Sequence, residues 1–490
     1  MMEGLVMSGH ETPKGSRTRR HGQVTRREFL MATSAGTLAS FVLASCGSAP
    51  AANPDEAQAS RDAATPVPAT SASAAATPVP ATSASAVATS TDKAEVVYQA
   101  VGTVEELGSL KGWIEKFNAS HPNILVTVRG IPPAEAEART LTQLQSGSGP
   151  DIFGASESFL FKLIQNGLVA DLTPYLRRPE SLVKEDDFLE GMWGAARTRD
   201  GKIYGLPVAC NPITMWYNRV VLREAGVTDM PADLYERGTW NWDAFIEMIE
   251  TVRAKDKRGY VLGTWWAHRY SWVTTNGGKV YDNGRFVLHE DPKSVEAMRF
   301  VYDNVQNGNF TFATSLPQGQ GDDALMLSNQ VAFMGAGRWM RPTFLEAKLD
   351  ADVAPWPSNT GEKIAPALMP AACYVMNAKT KYPEETYTFI EETVAPEGQI
   401  FNAQAGGDVP AIKGAEAPVL EADYPDHSKV FIDARNVGLA LFQDEVSVPG
   451  LQQDIQDLFE PLWAKGGDLD ATLKQIVETV NKKIQEARGG

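Results

Sequence analysis

Between Gly47 and Lys93 the chain carries no aromatic residue and no Leu, Ile or Met. Ala, Ser, Thr and Pro dominate, and the stretch Ala64–Ala74 recurs at Ala76–Ala86 with a twelve-residue period. Such a segment cannot bury enough apolar surface to offset the entropy of ordering, so it forms no core. Its prolines make it an extended spacer, and its repeat is too short and polar to be a stacking unit. Folding is thereby confined to about residues 94–490, and 46–93 reads as a tether. A body of about 400 residues with alternating elements exceeds what one sheet holds, which predicts two lobes.

The residues ahead of the tether differ in charge from the rest. Six basic and three acidic residues precede Cys46, whereas 39 basic and 58 acidic residues follow it. Thr25-Arg26-Arg27-Glu28-Phe29-Leu30 sets two adjacent arginines before an uncharged run, Phe29–Ala44, too short and too weakly apolar to span a membrane comfortably. The segment resembles a twin-arginine export signal. Leu43-Ala44-Ser45-Cys46-Gly47 resembles the bacterial lipobox, in which Cys46 would be acylated and become the mature N-terminus. Residues 1–45 are therefore expected to be a signal peptide. Acyl chains contribute about 0.8 kcal/mol per buried CH₂, and two or three hold a protein stably on a bilayer. The expected location is outside the cell, anchored to the outer face of the membrane by lipidated Cys46.

Composition excludes several functions. With 45 basic against 61 acidic residues the net charge is −16, a poor match to a phosphate backbone, so no nucleic-acid partner is expected. Three cysteines without a C-x-x-C cannot make a Cys-rich zinc site. The six histidines, at 10, 21, 121, 268, 289 and 427, include no H-x-x-x-H pair. No metal and no cofactor is expected. Neither a nucleophile elbow nor a phosphate-binding loop is present. A secreted glycoside hydrolase is the competing class, and it needs two carboxylates astride one bond. Glu157, Glu190, Asp243 and Glu290 fall in no catalytic pattern, so the expectation is a binding protein and not an enzyme.

Periodicity gives the elements of the body. Glu95–Ala100 reads as a first strand; Leu107, Leu110, Ile114 and Phe117 follow at helical spacing, ending before His121-Pro122. Ile124, Val126 and Val128 alternate, 135–145 is helical, and Asp151-Ile152-Phe153 starts a third strand. This βαβα order predicts mainly parallel sheets covered by helices. Helices are also expected from Asn241, over 293–307, and as two closing segments through Leu451–Leu462 and Leu469–Ile484.

Seven motifs in order then resemble the extracellular solute-binding proteins of family 1, the maltose-binding-protein-like receptors of ABC sugar importers. They are Ser148-Gly149-Pro150-Asp151-Ile152-Phe153, Gly167-Leu168-Val169-Ala170-Asp171-Leu172, Gly201–Pro207 with Met215-Trp216-Tyr217-Asn218, Thr239–Phe245, Val331–Met334 with Gly337-Arg338-Trp339, Tyr382-Pro383-Glu384, and Ala395–Gln399. The segment after Phe153 lacks the tryptophan often found there in the family. The resemblance implies an α/β, two-lobed periplasmic-binding-protein fold of the type II kind. It places the first lobe at 94–208 plus 337–394 and the second at 209–336 plus 395–490. It also implies a monomeric receptor that closes on a sugar or oligosaccharide and delivers it to ABC permease transmembrane subunits. A non-sugar solute is the alternative ligand.

A sugar presents apolar C–H faces and a rim of hydroxyls, which suits an aromatic platform with polar neighbours. All eleven tryptophans lie in the body, six of them between 216 and 272. Trp265 and Trp266, read as neighbours on a strand, should point to opposite faces, so one reaches the cleft. By resemblance this segment and Trp339 stack the sugar. Polar contacts are expected from loops at strand ends: Ser156 and Glu157 after Phe153, Asn211 in the first crossover, and Asp408 after Gly406-Gly407. Arg338 is placed to pair with Glu157 or a ligand hydroxyl. Asn276-Gly277-Gly278 is either a ligand-approaching loop or a plain turn. Trp242 and Trp463 lie on apolar helix faces and belong to the core. Cys210 and Cys373 both fall near predicted crossovers and are expected to be free buried thiols, with a disulfide between them in an oxidising compartment as the alternative.

Overall fold

The computed structural model describes residues 93–102 and 108–489. The signal segment, Cys46 and the tether lie outside the described residues. In chain order the strands are β1 (Ala94–Val101), β2 (Ile124–Ile131), β3 (Ile152–Ala155), β4 (Leu206–Cys210), β5 (Thr214–Asn218), β6 (Arg258–Leu262), β7 (Tyr281–Asp282), β8 (Arg285–Phe286), β9 (Phe310–Phe312), β10 (Val331–Ala336), β11 (Ala351–Ala354), β12 (Ala371–Met376) and β13 (Val409–Pro410). They build a six-stranded sheet ordered β13-β4-β12-β3-β1-β2, a five-stranded sheet ordered β11-β5-β10-β6-β9, and the hairpin β7-β8.

The first lobe starts as its residues dictate. β1 and β2 pair in parallel along their full length. The helix between them, Gly108–Ser120, buries Leu110, Trp113, Ile114 and Phe117, an apolar stripe at helical spacing. In the second lobe, helix Trp242–Arg253 starts at Asn241, whose side chain accepts a hydrogen bond from the Ala244 N–H at 3.0 Å. Helix Pro292–Gln306 is capped the same way by Asp291 on the Ser294 N–H, at 2.9 Å. The closing helices run Leu451–Lys465 and Leu469–Gly489. None of the described helices is long and apolar enough to cross a membrane.

The sheets are mixed, not mainly parallel as the βαβα order suggests. β12 runs antiparallel to both β3 and β4, and β5 runs antiparallel to both β10 and β11. The reason is the crossing of the chain. β4 and β11 leave their lobes at the inner ends of the sheets, so β5 and β12, which enter there, must run the other way.

Strand pairing also divides the chain differently from the expected bounds. β11 pairs with β5, so residues past 337 stay with the second sheet until Ala354, and the return crossover is 355–370. Helices Pro383–Val394 and Pro396–Ala405 and strand β13 belong with the first sheet. The third crossing therefore falls between β13 and the closing helices, which pack on the second lobe. Gly337-Arg338-Trp339 marks a loop at the inner end of β10, not the crossover itself.

Trp242 and Trp463 are buried in helix-packing cores, and Trp216, Trp272 and Trp356 are almost fully enclosed. Cys210 and Cys373 lie on neighbouring β4 and β12 as free, buried thiols, and burial pushes both thiol pKa values up.

Candidate ligand cleft

The inner ends of β3, β4 and β12 in one lobe face those of β6, β10 and β11 in the other. Three crossing segments run between them, and polar and aromatic side chains gather there.

Asn211 sits in the first crossover. Its backbone N–H donates to the Pro370 carbonyl at 2.9 Å, which ties the first crossover to the second. Its Nδ2 donates to Asp408 Oδ1 at 2.8 Å, while its Oδ1 is buried without a partner. Arg338 is buried and donates through Nη1 to the carbonyls of Gly406 (3.3 Å) and Asp408 (2.9 Å). Burial lowers its guanidinium pKa to about 10. Arg338 thus holds the Asp408 backbone, and does not pair with Glu157 as its position beside Trp339 suggests. Burial pushes the Asp408 pKa up, opposed by the Asn211 hydrogen bond and by Arg338. The residue is nonetheless exposed to solvent.

Two glycines make this corner possible. A Cβ on Gly337 would collide with the Trp339 ring and lie 2.9 Å from Asn211 Cβ. A Cβ on Gly407 would lie 2.7 Å from Trp339 Cα and 3.0 Å from the Arg338 carbonyl. Only a residue without a side chain lets these three segments approach so closely. The Trp216 indole then fixes the Gly337 carbonyl from β5, at 3.0 Å.

From Trp339 a line of aromatic rings runs into the second lobe. Trp339 and Trp265 are 6.0 Å apart between ring centroids at 71°, and Trp265 and Trp266 are 5.5 Å apart at 65°. These are edge-to-face contacts. All three rings are half-buried. The two adjacent tryptophans do not alternate across a strand. Trp265 is the N-cap of helix Trp266–Thr274, so the chain turns between them. Beneath Trp265 lies His268, 5.8 Å away and then Trp356, 5.9 Å further. Burial lowers the His268 pKa to about 4, so its ring is neutral.

Trp266 packs on a small cluster of Phe161, Ala195, Leu441 and Val446, which joins the first lobe to the third crossing. Glu157 borders that cluster. Its Oε1 accepts the Leu441 N–H at 3.3 Å. Burial pushes its carboxyl up to about 8, partly offset by that hydrogen bond, and the nearby Glu445 carboxylate adds to the rise. Ser156 caps helix Glu157–Gln165 by accepting from the Phe159 N–H at 3.4 Å, and donates to Glu137 Oε1 at 2.8 Å. Asn276 is held by the Lys293 carbonyl and Glu296, and Gly277 has φ +75, so that segment is a plain turn.

The structure therefore brings Asn211, Asp408 and Trp339 together and joins Trp265 and Trp266 to them, with Glu157 beyond Trp266. Ser156 is engaged in capping. Gly337 and Gly407 were read from the sequence only as flanks of Trp339 and Asp408, and the 441–446 segment was not singled out at all. The first two carry a signal only in hindsight, as glycines flanking nominated residues. The last has none, because its partners other than Arg488, among them Glu157, Gly194, Tyr270 and Tyr281, lie over 150 residues away. Among the described residues no cluster of three or more His, Cys, Asp or Glu is arranged to hold a metal ion.

Residues 112–431 match the model of the bacterial extracellular solute-binding proteins. The chain belongs to that family. This solute-binding protein is 26% identical over 242 residues to an arabinooligosaccharide-binding protein of Halalkalibacterium halodurans, covering 48% of this chain and 51% of the relative. A maltooligosaccharide ABC transporter solute-binding lipoprotein of Streptococcus pneumoniae is 23% identical over 279 residues, covering 54% of this chain and 61% of the relative. The chain spans about half the length of the curated relatives it matches. An ABC substrate-binding protein of Listeria monocytogenes, solved in complex with cycloalternan, superposes with a TM-score of 0.69 at 20% identity, covering 80% of this chain and 100% of that one. The solute-binding protein thus has the two-lobed periplasmic-binding fold. The family is one of bacterial extracellular solute-binding proteins.

Proposed function

We propose that this protein captures a saccharide between its lobes and delivers it to the membrane subunits of an ABC importer. It does so as a monomer held on the outer face of the membrane through acylated Cys46 and the 46–93 tether. It catalyses no change in the ligand. Trp265, Trp266 and Trp339 form the platform, and Asn211, Asp408, Glu157 and Ser156 supply polar contacts from the loops at the strand ends.

One observation carries this reading: a half-buried aromatic row reaches a hydrogen-bonded Asn–Asp pair where two crossovers meet, at the base of the cleft. Indole faces stack on sugar C–H groups, and a carboxylate and an amide read hydroxyls. Placement at the crossovers lets a ligand touch groups from both lobes. A ligand shifts a hinge equilibrium only by as much as it binds the closed state better than the open one. Saccharide-binding relatives and the lipoprotein among them favour the same assignment.

The experiment is a calorimetric panel of oligosaccharides on the wild type and Trp339→Ala. Loss of a buried aromatic anchor costs about 2–4 kcal/mol, so affinity should fall about 30-fold or more. The bound sugar should be recovered intact. Wild-type affinity in Trp339→Ala, Trp265→Ala and Trp266→Ala together would defeat the platform, and recovery of cleaved sugar would favour a hydrolase.

A further inference from the structure

We propose, resting on the saccharide reading above, that Glu157 works as an uncharged positioning residue: its neutral carboxyl seats the third crossing, and with it Trp266, against the first lobe, and ionising it weakens saccharide binding.

The geometry is that of a closed junction. Glu157 opens the first-lobe helix Glu157–Gln165, and Phe161, one turn on, lies on the same face. Oε1 of Glu157 accepts the Leu441 N–H. Phe161, Ala195, Leu441 and Val446 form the bed on which Trp266 of the second lobe packs. Gly194 closes the other side. It has φ +40, in the left-handed region, and a Cβ on it would lie 2.5 Å from Glu157 Oε1 and 3.4 Å from Ala440 Cβ. No water fits between Gly194 and that oxygen. Glu157 as a whole is half-buried, and Oε1 is on its enclosed side.

The surroundings do not supply what a buried carboxylate needs. Among the described residues the charged group acting on Glu157 is the Glu445 carboxylate. The facing thiol, Cys373 on β12, is buried and neutral. Arg197 and Arg199, on the segment that carries Gly194, are paired with Glu190 and Asp444. Glu137, on the neighbouring helix Ala136–Ser146, is held by the Ser156 hydroxyl. Arg269, on the helix that starts at Trp266, acts on Glu445 instead, which also accepts from Tyr270 and Tyr281. The two carboxyls of the junction are therefore unlike: Glu445 has a cation and two hydroxyl donors, whereas Glu157 has one backbone N–H. A buried charge without a cation gives up its charge or draws in water. Burial pushes the Glu157 carboxyl up to about 8, opposed by the Leu441 N–H and helped by Glu445, so it carries its proton at neutral pH. Once ionised, it needs hydration in space that Gly194 and Leu441 occupy. The crossing must then shift, and the bed of Trp266 shifts with it. Apparent affinity scales with the fraction of molecules that keep the seat intact.

The test is calorimetry of maltotriose and arabinotriose, two neutral sugars, on the full chain at pH 5, 7, 8 and 9, for the wild type and Glu157→Gln. The amide keeps the shape and an acceptor for the Leu441 N–H, and it is uncharged throughout. Relative to the variant, wild-type affinity should fall about tenfold between pH 7 and 9, because about one molecule in ten is still neutral one pH unit above a value of about 8. The ratio of the two profiles is what is read, so Asp322 and Asp408, which titrate in both proteins, cancel. The ligand-free wild type should show a change in tryptophan emission over the same pH range, absent in Glu157→Gln and reduced in Trp266→Phe. If Glu157→Gln fails to fold, that emission titration on the wild type and Trp266→Phe decides: a change reduced in Trp266→Phe supports the inference, and no change, or an equal one in both, overturns it. Parallel affinity profiles for the wild type and Glu157→Gln would overturn this inference and leave the saccharide reading standing. Failure of both sugars and of the wider oligosaccharide panel to bind at any pH would overturn both.

Discussion

Glu157 offers a test of how tightly the lobes enclose the end of the aromatic row. Its carboxyl is pushed from an ordinary 4.5 to about 8, chiefly by burial. A folded-state pKa above the unfolded one means that the folded protein binds more protons between the two values. Stability therefore falls as pH rises from about 4.5 to about 8, and is unaffected by this group below and above that window. One pH unit is worth about 1.4 kcal/mol, so complete enclosure sets an upper bound of about 5 kcal/mol. The side chain keeps a partial opening to solvent, which brings the expected effect to about 1–2 kcal/mol. Glu157→Gln keeps the shape, and its amide oxygen still accepts the Leu441 N–H. Urea unfolding of both proteins at pH 4.5, 6, 8 and 9 should give equal stability at the lowest pH. The variant should then gain about 1–2 kcal/mol over the wild type by pH 8. Asp322, pushed by burial up to about 6, titrates in both proteins and cancels in the difference. A difference that does not change with pH would show that the Glu157 carboxylate is hydrated when ionised and that the cleft end is open.

Trp463→Ala should lower the melting temperature with little effect on ligand affinity, since Trp463 is stacked on Phe459 in the closing helix, away from the crossovers; calorimetry against the Trp339→Ala result checks this. Gly407→Ala should cost about 1–3 kcal/mol in unfolding experiments and weaken binding, because its Cβ would fall 2.7 Å from Trp339 Cα. Cys46→Ser should release the protein from membranes on fractionation while leaving ligand affinity unchanged; persistent membrane association would refute the anchor. Asp444→Asn should leave the melting temperature less sensitive to added salt than in the wild type, because Asp444 pairs with Arg199 of the first lobe and Arg488 of the last helix.

Local elements were legible because short-range rules set them. The helix between β1 and β2 stops at Ser120 because Pro122 restricts its predecessor, and Asn241 caps its helix through its own side chain. Helix Pro292–Gln306 shows the limit. Spacing nominates Val295, Met298, Tyr302 and Val305, yet the face most deeply buried is Ser294, Ala297, Met298, Val301 and Asn304. Small and amide side chains there let the helix sit close to its neighbours, a choice set by the partner surface. Strand direction failed for a similar reason. Nothing in β12 itself says that it enters from the other lobe. The same applies to Trp265 and Trp266: their apolar neighbours fit a strand, but the chain turns into a helix between them. At the site, Asn211, Trp339 and Asp408 were found as residues, whereas the Asn211–Asp408 bond spans 197 positions and leaves no linear trace.

The third crossing has a consequence for how the lobes can move. The first crossing is the short stretch 211–213 and the second is 355–370, and the two are bound to each other through the Asn211 N–H and the Pro370 carbonyl. The third is a clamp. Gln443 Nε2 donates to the Gly194 and Arg197 carbonyls of the first lobe, at 2.9 and 2.7 Å. Two residues later, buried Glu445 accepts from the hydroxyls of Tyr270 and Tyr281 in the second, at 2.7 and 3.0 Å. Buried charge-assisted hydrogen bonds of this kind are costly to break, because each leaves a desolvated carboxylate behind. Hinge motion therefore cannot separate the lobes at 441–446. It must pivot there and at the crossovers, with the opening displaced toward the far side of the cleft. Trp266 and Glu157 lie beside this pivot, so they should move little between open and closed states. Trp339 and Asp408 flank the Asn211–Pro370 junction of the other pivot, so the contacts that a ligand gains only on closure must come from residues farther from both pivots than this row.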